Sequence, residues 1–310
     1  MANLKDIKNI KNIKTILAVI LTVIILAGVW GGYNAITNSK TASSDTKTAD
    51  KKVEQPAAKG GIDEIKKRGV VRIGVFSDKP PFGFVDANGK NQGFDVYFAK
   101  RFAKDLLGDE SKIEYVLAEP ASRVEFLESN KVDIILANFT VTDERKQKVD
   151  FANPYMKVAL GVVSPSGEPI TSVDQLKGKK LIVVKGTTAE TYFTKNHPDV
   201  ELLKFDQITQ SFEALKDHRG VALANDNTLL FAWARENAGF TVGVSTLGSL
   251  DTIAPAVKKG NKELLDWINT ELVTLGKEQF THKAYEATLK PAYGDSLNPE
   301  DLVIEGGKLQ

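Results

Sequence analysis

Short runs of β-branched and apolar residues alternate with helical segments from residue 61 onwards, and this alternation limits the possible folds more than any other feature. The candidate strands are 70–75, 112–118, 133–138, 158–163, 180–184, 201–205 and 220–224. The candidate helices are 95–107, 123–129, 189–195, 210–216, 229–236, 263–277 and 282–289. Strands and helices that alternate along the chain form a mainly parallel sheet covered by helices. The sequence therefore predicts an α/β fold.

Two stretches, 154–164 and 248–257, have the character of connections between lobes. The first is extended and ends in the turn-forming sequence SPSGEP. Two crossings would build one lobe from both chain ends and the other from the middle. We therefore predict a hinged molecule with one lobe at 61–157 and 254–310 and the other at 158–253. Because open parallel sheets bind ligands at the carboxyl ends of their strands, a ligand cleft is expected between the lobes.

A basic segment followed by an apolar one precedes the folded part. Four lysines lie within the first fourteen residues, and residues 15–39 carry no charge. Such a segment is typical of an export signal, so residues 1–37 are predicted as a signal peptide or signal anchor, with poor cleavage sites favouring an anchor at 15–37. The lysines would keep the N-terminus in the cytoplasm and send the rest outside. Residues 38–60 have hardly any large apolar side chain, which predicts a flexible polar linker.

Charge and composition exclude several classes of function. The 41 Lys and Arg nearly cancel the 40 Asp and Glu, and a formal charge of +1 gives no field of the kind a nucleic-acid-binding protein needs. The absence of cysteine excludes disulfides, thiolate nucleophiles and a lipidated cysteine. Signatures of serine hydrolases, zinc proteases and nucleotide-binding loops are also missing from the sequence. We therefore predict no catalytic residue, no metal and no cofactor.

Polar side chains follow the candidate strand 133–138 at the point where it ends. Asn138, Thr140 and Arg145 come in order, and a helix is expected to begin among them. Backbone N–H groups, hydroxyls and a guanidinium at such a place can hold a carboxylate. The alternative is structural, with Arg145 paired to Glu144 or Asp150 on the surface and the threonines capping the helix.

Similar groups follow two later strands. Thr188, in the sequence KGTT, can hold the same carboxylate from the other lobe, unless it only caps a helix. Asp226 can accept an ammonium group, although a helix cap is again the alternative. Phe82 offers an aromatic wall for the apolar part of a ligand, with core packing as the alternative. An anion site and a cation acceptor on two lobes suit a zwitterion, so the sequence predicts an α-amino acid ligand.

Several motifs occur in a fixed order along the chain. They are VRIGV and PPFGF within 71–84, GFDV at 93–96, FTVTDER and VDFANPY within 139–155, KGTT at 185–188, and Asp226 after GVALAN. Together they resemble the extracytoplasmic solute-binding proteins, family 3, which feed polar amino acids to ABC importers. The likeness runs from residue 62 to about 307 and looks closest to the cysteine-binding branch, with the aspartate and glutamate binders next.

The resemblance implies a role for each candidate residue. In the family, the positions that match Arg145 and Thr188 hold the ligand α-carboxylate, and the position that matches Thr140 adds a hydroxyl and a backbone contact. The acid that matches Asp226 takes the α-ammonium. Asn138 stands where relatives place another polar contact.

Some positions depart from the family pattern or carry an open role. Arg123 stands where the binders of acidic ligands place an arginine that reads the ligand side chain, and its role is left open. Tyr97 replaces an acid that usually follows the GFDV motif. The lipobox cysteine of many relatives is absent, so membrane attachment would depend on the apolar segment.

The resemblance implies a type II periplasmic-binding-protein-like fold and a function. The chain would capture a small polar amino acid, with cysteine favoured, by hinge closure, and would deliver it as a monomer to an ABC transporter permease. It would lie in the periplasm or on the extracytoplasmic face of the inner membrane, in contact with the membrane through its N-terminal segment. Two alternatives remain: a cyclohexadienyl dehydratase-like enzyme, which needs a second acid in the cleft, and a membrane-anchored sensor.

Overall fold

The computed structural model describes residues 60–308. The predicted signal or anchor at 1–37, and all of the predicted linker except residue 60, lie outside the described residues. The strands are β1 (Val71–Val75), β2 (Asp78–Lys79), β3 (Gly83–Val85), β4 (Asn91–Gln92), β5 (Ile113–Leu117), β6 (Ile134–Ile135), β7 (Val149–Phe151), β8 (Met156–Pro165), β9 (Lys180–Val184), β10 (Glu201–Phe205), β11 (Ala222–Asp226), β12 (Phe240–Ile253) and β13 (Ala256–Lys258).

The helices occupy most of the segments between these strands and the C-terminal part of the chain. They are α1 (Ile62–Arg68), α2 (Phe94–Leu107), α3 (Arg123–Glu128), α4 (Asp143–Lys146), α5 (Thr188–Asn196), α6 (Ile208–Lys216), α7 (Asn227–Glu236), α8 (Lys262–Lys277), α9 (Phe280–Ala284), α10 (Lys290–Tyr293) and α11 (Pro299–Leu302). Between residues 60 and 308, no helix is both long enough and apolar enough to cross a membrane.

The first sheet has the strand order β5-β1-β6-β13-β7. Strand β1 pairs in parallel with β5 and β6, and β13 runs antiparallel to β6 and β7. Strands β1 and β6 lie inside the sheet and are almost fully buried. Continuous apolar sequence is what a strand covered on both faces requires, which explains the runs VRIGV and DIILAN.

The second sheet has the strand order β10-β9-β11-β8-β12 and is mixed rather than mainly parallel. Strand β9 is parallel to β10 and β11, whereas β8 is antiparallel to β11 and β12. The sequence did not predict β12, because its residues mix glycines and polar side chains. Three register shifts interrupt the pairing of β12 with β8, so its side chains keep no regular alternation.

The chain passes between the two sheets twice. It leaves β7 for β8 through residues 152–155 and leaves β12 for β13 through residues 254–255. Most of the predicted crossings 154–164 and 248–257 is therefore strand, in β8, β12 and β13, and the connections themselves are shorter than expected. Below, the first lobe means the first sheet with the small sheet β2–β4 and helices α1–α4, α8 and α9. The second lobe means the second sheet with α5–α7.

Glycine 93 fixes where helix α2 begins. Gly93 has a φ of 113°, and a Cβ atom there would lie 2.4 Å from the carbonyl oxygen of Phe82. Only glycine fits such a close approach in this conformation. The helix consequently starts against the segment that follows β2, and Asp95 in its first turn is completely buried beneath the cleft.

Candidate functional site

A small cavity lies between the two lobes. The space within it, counting the part open to solvent, is about 210 Å³. It is lined by Phe76, Lys79, Pro120, Arg123, Asn138, Thr140 and Arg145 of the first lobe and by Thr187, Thr188 and Asp226 of the second. A larger groove adjoins it and shares Pro120, Arg145 and Thr188. Six of the seven ligand-binding residues predicted from the sequence line this cavity.

Arg145 lies on helix α4, whose first turn is capped by the hydroxyl of Thr142. Its Nη1 donates to the carbonyl of Thr140 at 2.7 Å and its Nη2 to the carbonyl of Gly186 at 2.9 Å. The guanidinium has five N–H donors, so three remain without a partner in the described part of the chain. Burial lowers the pKa of Arg145 to about 10, which leaves it charged at neutral pH. It can therefore hold a carboxylate with two hydrogen bonds.

Two threonine hydroxyls face the cavity beside Arg145. Within residues 60–308, neither the Thr140 nor the Thr188 hydroxyl makes a hydrogen bond. The neighbouring Thr187 is the one that caps helix α5, because its Oγ1 accepts the N–H of Glu190 at 3.2 Å. Thr188 is thus free of the capping role that was the alternative in the sequence, and both hydroxyls are available to an anion.

Asp226 ends strand β11 at the opposite side of the cavity. Its Oδ2 accepts hydrogen bonds from Lys79 Nζ and Asn138 Nδ2, each at 2.8 Å. Its Oδ1 accepts none from the residues that the structure describes, and the buried Oδ1 of Asn138 has no partner there either. A carboxylate oxygen and an amide oxygen are therefore available to a positively charged donor.

Lys79 was missed by the sequence analysis. It lies on the two-residue strand β2, and its side chain is 3% exposed. One feature of the sequence could have indicated it. Lys79 lies shortly after the carboxyl end of β1, and segments that follow the carboxyl ends of strands reach the cleft. Such a short strand leaves no periodic pattern, so the inward direction of the side chain was not visible in the sequence.

Arg123 lines the cavity, but most of its donors are occupied. Nε donates to the carbonyl of Pro120 at 3.0 Å, Nη1 to those of Ala137 and Asn138 at 3.0 and 3.2 Å, and Nη2 to that of Gly186 at 3.2 Å. Burial, and then the charge of Arg145, lower its pKa. This geometry makes Arg123 a support that connects strand ends of the first lobe to Gly186 of the second.

Gly186 permits close approach of the lobes. Its φ is 74°, and a Cβ atom there would lie 2.4 Å from the Cα atom of Ala121. A side chain at this position would push the second lobe away from the first. The KGTT motif thus requires a glycine at position 186, whose carbonyl accepts hydrogen bonds from both Arg123 and Arg145.

Asp95 supports the cavity from below. Its Oδ1 accepts the hydroxyl of Tyr155 at 2.6 Å, and its Oδ2 accepts the backbone N–H of Asn138 at 2.8 Å. Burial raises the pKa of Asp95 to about 6, although these hydrogen bonds and the nearby cations act to lower it. Because Asp95 does not line the cavity, it positions Asn138 and does not touch a ligand.

Phe82 does not line the cavity. The side chain is completely buried in the core of the first lobe, and the aromatic ring in the cavity wall belongs to Phe76 instead. Phe76 directly follows β1, so it reaches the carboxyl end of the sheet, whereas Phe82 packs against helix α2. The core-packing alternative for Phe82 agrees with this placement. In the described part of the chain, no three His, Asp or Glu side chains group in a way that could hold a metal.

Comparison with known proteins identifies similar chains over most of this length. A family profile described as bacterial extracellular solute-binding proteins, family 3, matches residues 71–289. The ABC transporter glutamine-binding protein GlnH of Bacillus subtilis is 32% identical over 254 residues, which is 80% of this chain and 92% of that protein.

Two solved structures are more similar still. A solute receptor for L-cysteine of Neisseria gonorrhoeae is 61% identical, with a TM-score of 0.78, and the match covers 79% of this chain and 100% of that one. A cysteine-binding protein from Campylobacter jejuni is 59% identical, with a TM-score of 0.78, and the match covers 79% of this chain and 98% of that one.

Proposed function

The chain belongs to the bacterial extracellular solute-binding proteins, family 3, and on this premise we propose that it captures L-cysteine for an ABC importer. Its fold is the two-lobed type II periplasmic-binding-protein fold that the sequence predicts. The amino acid would bind in the cavity between the lobes, and the closed molecule would deliver it to the permease.

One observation carries this proposal: unpaired groups of opposite character face each other across one cavity. Free N–H groups of Arg145 and the hydroxyls of Thr140 and Thr188 would hold the α-carboxylate. Free oxygens of Asp226 and Asn138 would hold the α-ammonium. Both poles of an α-amino acid would then be satisfied by groups that otherwise lack partners, which is the arrangement that buried polar atoms require.

The solved structures of relatives indicate which amino acid is bound. The two relatives of solved structure with 61% and 59% identity are described as a receptor for L-cysteine and a cysteine-binding protein, which favours cysteine among small amino acids.

Hinge closure would couple binding to delivery. The second lobe contacts the first through Gly186 and Asp226, which are next to the ligand poles. A ligand that touches both lobes binds the closed form better and so shifts the population toward it. The closed form would then be the one that the permease recognises. We also propose that the protein acts outside the cytoplasm as a monomer, attached through residues 15–37.

The dehydratase alternative has less support. A general acid for such a reaction must be a second carboxyl group over the leaving group. Among the described residues that line the cavity, Asp226 is the one carboxylate, and it is paired with Lys79.

A thermal-shift panel of the twenty amino acids tests the proposal. A ligand at about 100 times its Kd stabilises the native state by roughly 2.7 kcal/mol. We expect L-cysteine to raise the melting temperature most and D-cysteine to have little effect. Stabilisation by long basic or acidic amino acids, with none by L-cysteine, would contradict the proposal.

A further inference from the structure

The buried lysine of the cavity wall has no part in the proposed function described so far. Lys79 Nζ lies 2.8 Å from Asp226 Oδ2, and the side chain is 3% exposed. The ammonium also lies near two aromatic rings, 5.3 Å from the centroid of Phe76 and 5.8 Å from that of Phe82. A buried lysine is unfavourable unless its charge is well compensated. The position of Lys79 beside Asp226, the proposed acceptor of the ligand ammonium, therefore suggests that it has a role in binding.

The ammonium of Lys79 has N–H groups without a partner among residues 60–308. Three cationic side chains, Lys79, Arg123 and Arg145, line the cavity, and Asp226 is the one carboxylate among the described lining residues. Asp95 lies behind the wall, and the charges of Glu144 and Asp251 act on Arg145. Of the three N–H groups of Lys79, one donates to Asp226, and the other two have no partner in the described part of the chain. Burial lowers the pKa of Lys79, with Arg123 acting in the same direction and Asp226 and Asp95 against it.

We propose that Lys79 determines specificity by binding the side chain of L-cysteine as a thiolate, an inference that rests on the proposed function. The nitrogen and sulfur of cysteine are on adjacent carbon atoms. A ligand whose ammonium is held by Asp226 Oδ1 would place its sulfur beside Lys79 in one rotamer, because Lys79 Nζ lies 2.8 Å from the other oxygen of that carboxylate. The S–H bond breaks, the electron pair stays on sulfur, and the proton leaves to the solvent. The thiolate accepts a hydrogen bond from an N–H group of Lys79 that otherwise has no partner among the described residues.

This arrangement would let the protein discriminate cysteine from serine, its closest isostere. A free thiol has a pKa of about 8.5, and a neighbouring ammonium lowers it, whereas the serine hydroxyl does not ionise near neutral pH. Each unit by which the thiol pKa falls below the ambient pH strengthens binding about tenfold. The Phe76 ring in the cavity wall also favours sulfur, because sulfur makes stabilising contacts with aromatic rings.

Ultraviolet difference spectroscopy tests the protonation state directly. The protein has no cysteine, so the bound amino acid carries the only thiol in the complex. At about pH 6.5, free L-cysteine is almost entirely thiol, given its pKa of about 8.5. We expect the complex to show thiolate absorbance equivalent to one sulfur per protein at this pH. A complex of L-cysteine whose spectrum is that of a thiol would overturn the inference and leave the proposed function standing.

Calorimetry with Lys79→Met and Lys79→Gln tests the residue. We expect the ratio of the Kd of L-serine to that of L-cysteine to fall at least tenfold in both variants, with the thiolate absorbance lost. The control is Lys90→Met, because Lys90 is exposed, lies just before β4 and does not line the cavity; this variant should keep the wild-type ratio. Equal weakening of both amino acids would show that Lys79 only compensates Asp226. Complete failure of the wild type to bind L-cysteine would instead remove the proposed function.

Discussion

The side-chain amide of Asn138 donates a hydrogen bond of 2.8 Å to Oδ2 of Asp226 and so joins the first lobe to the second. Asn138 follows β6, and Asp226 ends β11, so the polar ends of strands from different sheets meet at one point. Asn138 adopts a φ of 42°, in the left-handed region that asparagine tolerates better than most residues. The backbone N–H of Asn138 donates a hydrogen bond to Asp95, and this bond stabilises the left-handed conformation. One wall of the cavity is therefore fixed before any ligand enters.

Loss of Arg145 should remove binding without unfolding the protein. Arg145→Ala deletes the proposed carboxylate partner, and two charge-assisted hydrogen bonds contribute about 1.5–3 kcal/mol each. We expect the Kd of L-cysteine, measured by calorimetry, to rise a hundredfold or more, with the circular dichroism spectrum unchanged. The exposed Arg219→Ala, which loses a contact with Phe205, is the matched control and should bind normally. An affinity of Arg145→Ala within a few-fold of wild type would refute the carboxylate assignment.

The role of Asp226 can be separated from its pairing with Lys79. Asp226→Asn removes the negative charge that the ligand ammonium needs and leaves Lys79 unpaired. We expect calorimetry to detect no L-cysteine binding by this variant or by the double variant Asp226→Asn, Lys79→Met. Recovery of binding in the double variant would mean that Asp226 merely neutralises the lysine.

Asp78 should contribute to affinity without touching the ligand. Its Oδ2 accepts the N–H of Ile208 at 2.8 Å and the N–H and hydroxyl of Thr209, so a first-lobe carboxylate caps helix α6 of the second lobe. Loss of a helix cap costs about 0.5–2 kcal/mol of stability. Because this cap joins the two lobes, its loss would destabilise the closed form. We expect Asp78→Ala to weaken L-cysteine binding roughly twofold to thirtyfold in titration calorimetry.

A matched control separates this effect from a general loss of stability. Asp109 makes comparable hydrogen bonds, but to Ser111 in its own loop. Asp109→Ala should leave the affinity for L-cysteine unchanged. If Asp78→Ala and Asp109→Ala bind equally well, the contact with helix α6 does not favour closure.

Asp95 should make stability depend on pH in an unusual direction. Burial raises its pKa to about 6 from an ordinary 3.8, so the native state holds a proton at pH values where the unfolded chain has lost it. The contribution of Asp95 to the free energy of unfolding therefore falls as pH rises from about 4 to about 6. Urea unfolding should show the wild type losing about 3 kcal/mol relative to Asp95→Asn across this range and nothing further above about pH 7.

For the exposed Asp109, the contribution to the free energy of unfolding should change with pH in the opposite direction. The Ser111 N–H lowers the pKa of Asp109, so its contribution to stability is present at neutral pH and is lost as pH falls through the lowered pKa. The difference between wild type and Asp109→Asn should accordingly rise with pH in the acid range. A difference for Asp95→Asn that is flat or rises with pH would show that Asp95 is not desolvated.

Much of the site followed from the sequence because strand ends carry a readable signal. A buried apolar run that stops at a polar residue locates the carboxyl edge of a sheet, and this pattern predicts that Asn138 and Asp226 lie near the same cleft. The sequence predicts Thr188 in the cavity, but it does not show which of the two adjacent threonines caps α5; in the structure Thr187 does so.

The rest depended on long-range packing that has no local pattern. Lys79 projects inward from a strand too short for any periodicity, and the four carbonyl partners of Arg123 come from three separate segments. The sequence predicts Phe82 as the aromatic wall, and only the positions of the rings relative to β1 and α2 show that Phe76 takes this place. Strand β12 was missed because register shifts remove the alternation by which strands are recognised.

Ligands that lack one pole give the most direct measurement. Cysteamine keeps the thiol and the ammonium but has no carboxylate, and 3-mercaptopropionate keeps the thiol and the carboxylate but has no ammonium. If Arg145 and Asp226 each hold one charged end of the same molecule, titration calorimetry will show tight binding of L-cysteine and at least a hundredfold weaker binding of both analogues. Binding of either analogue within a few-fold of L-cysteine would contradict the account.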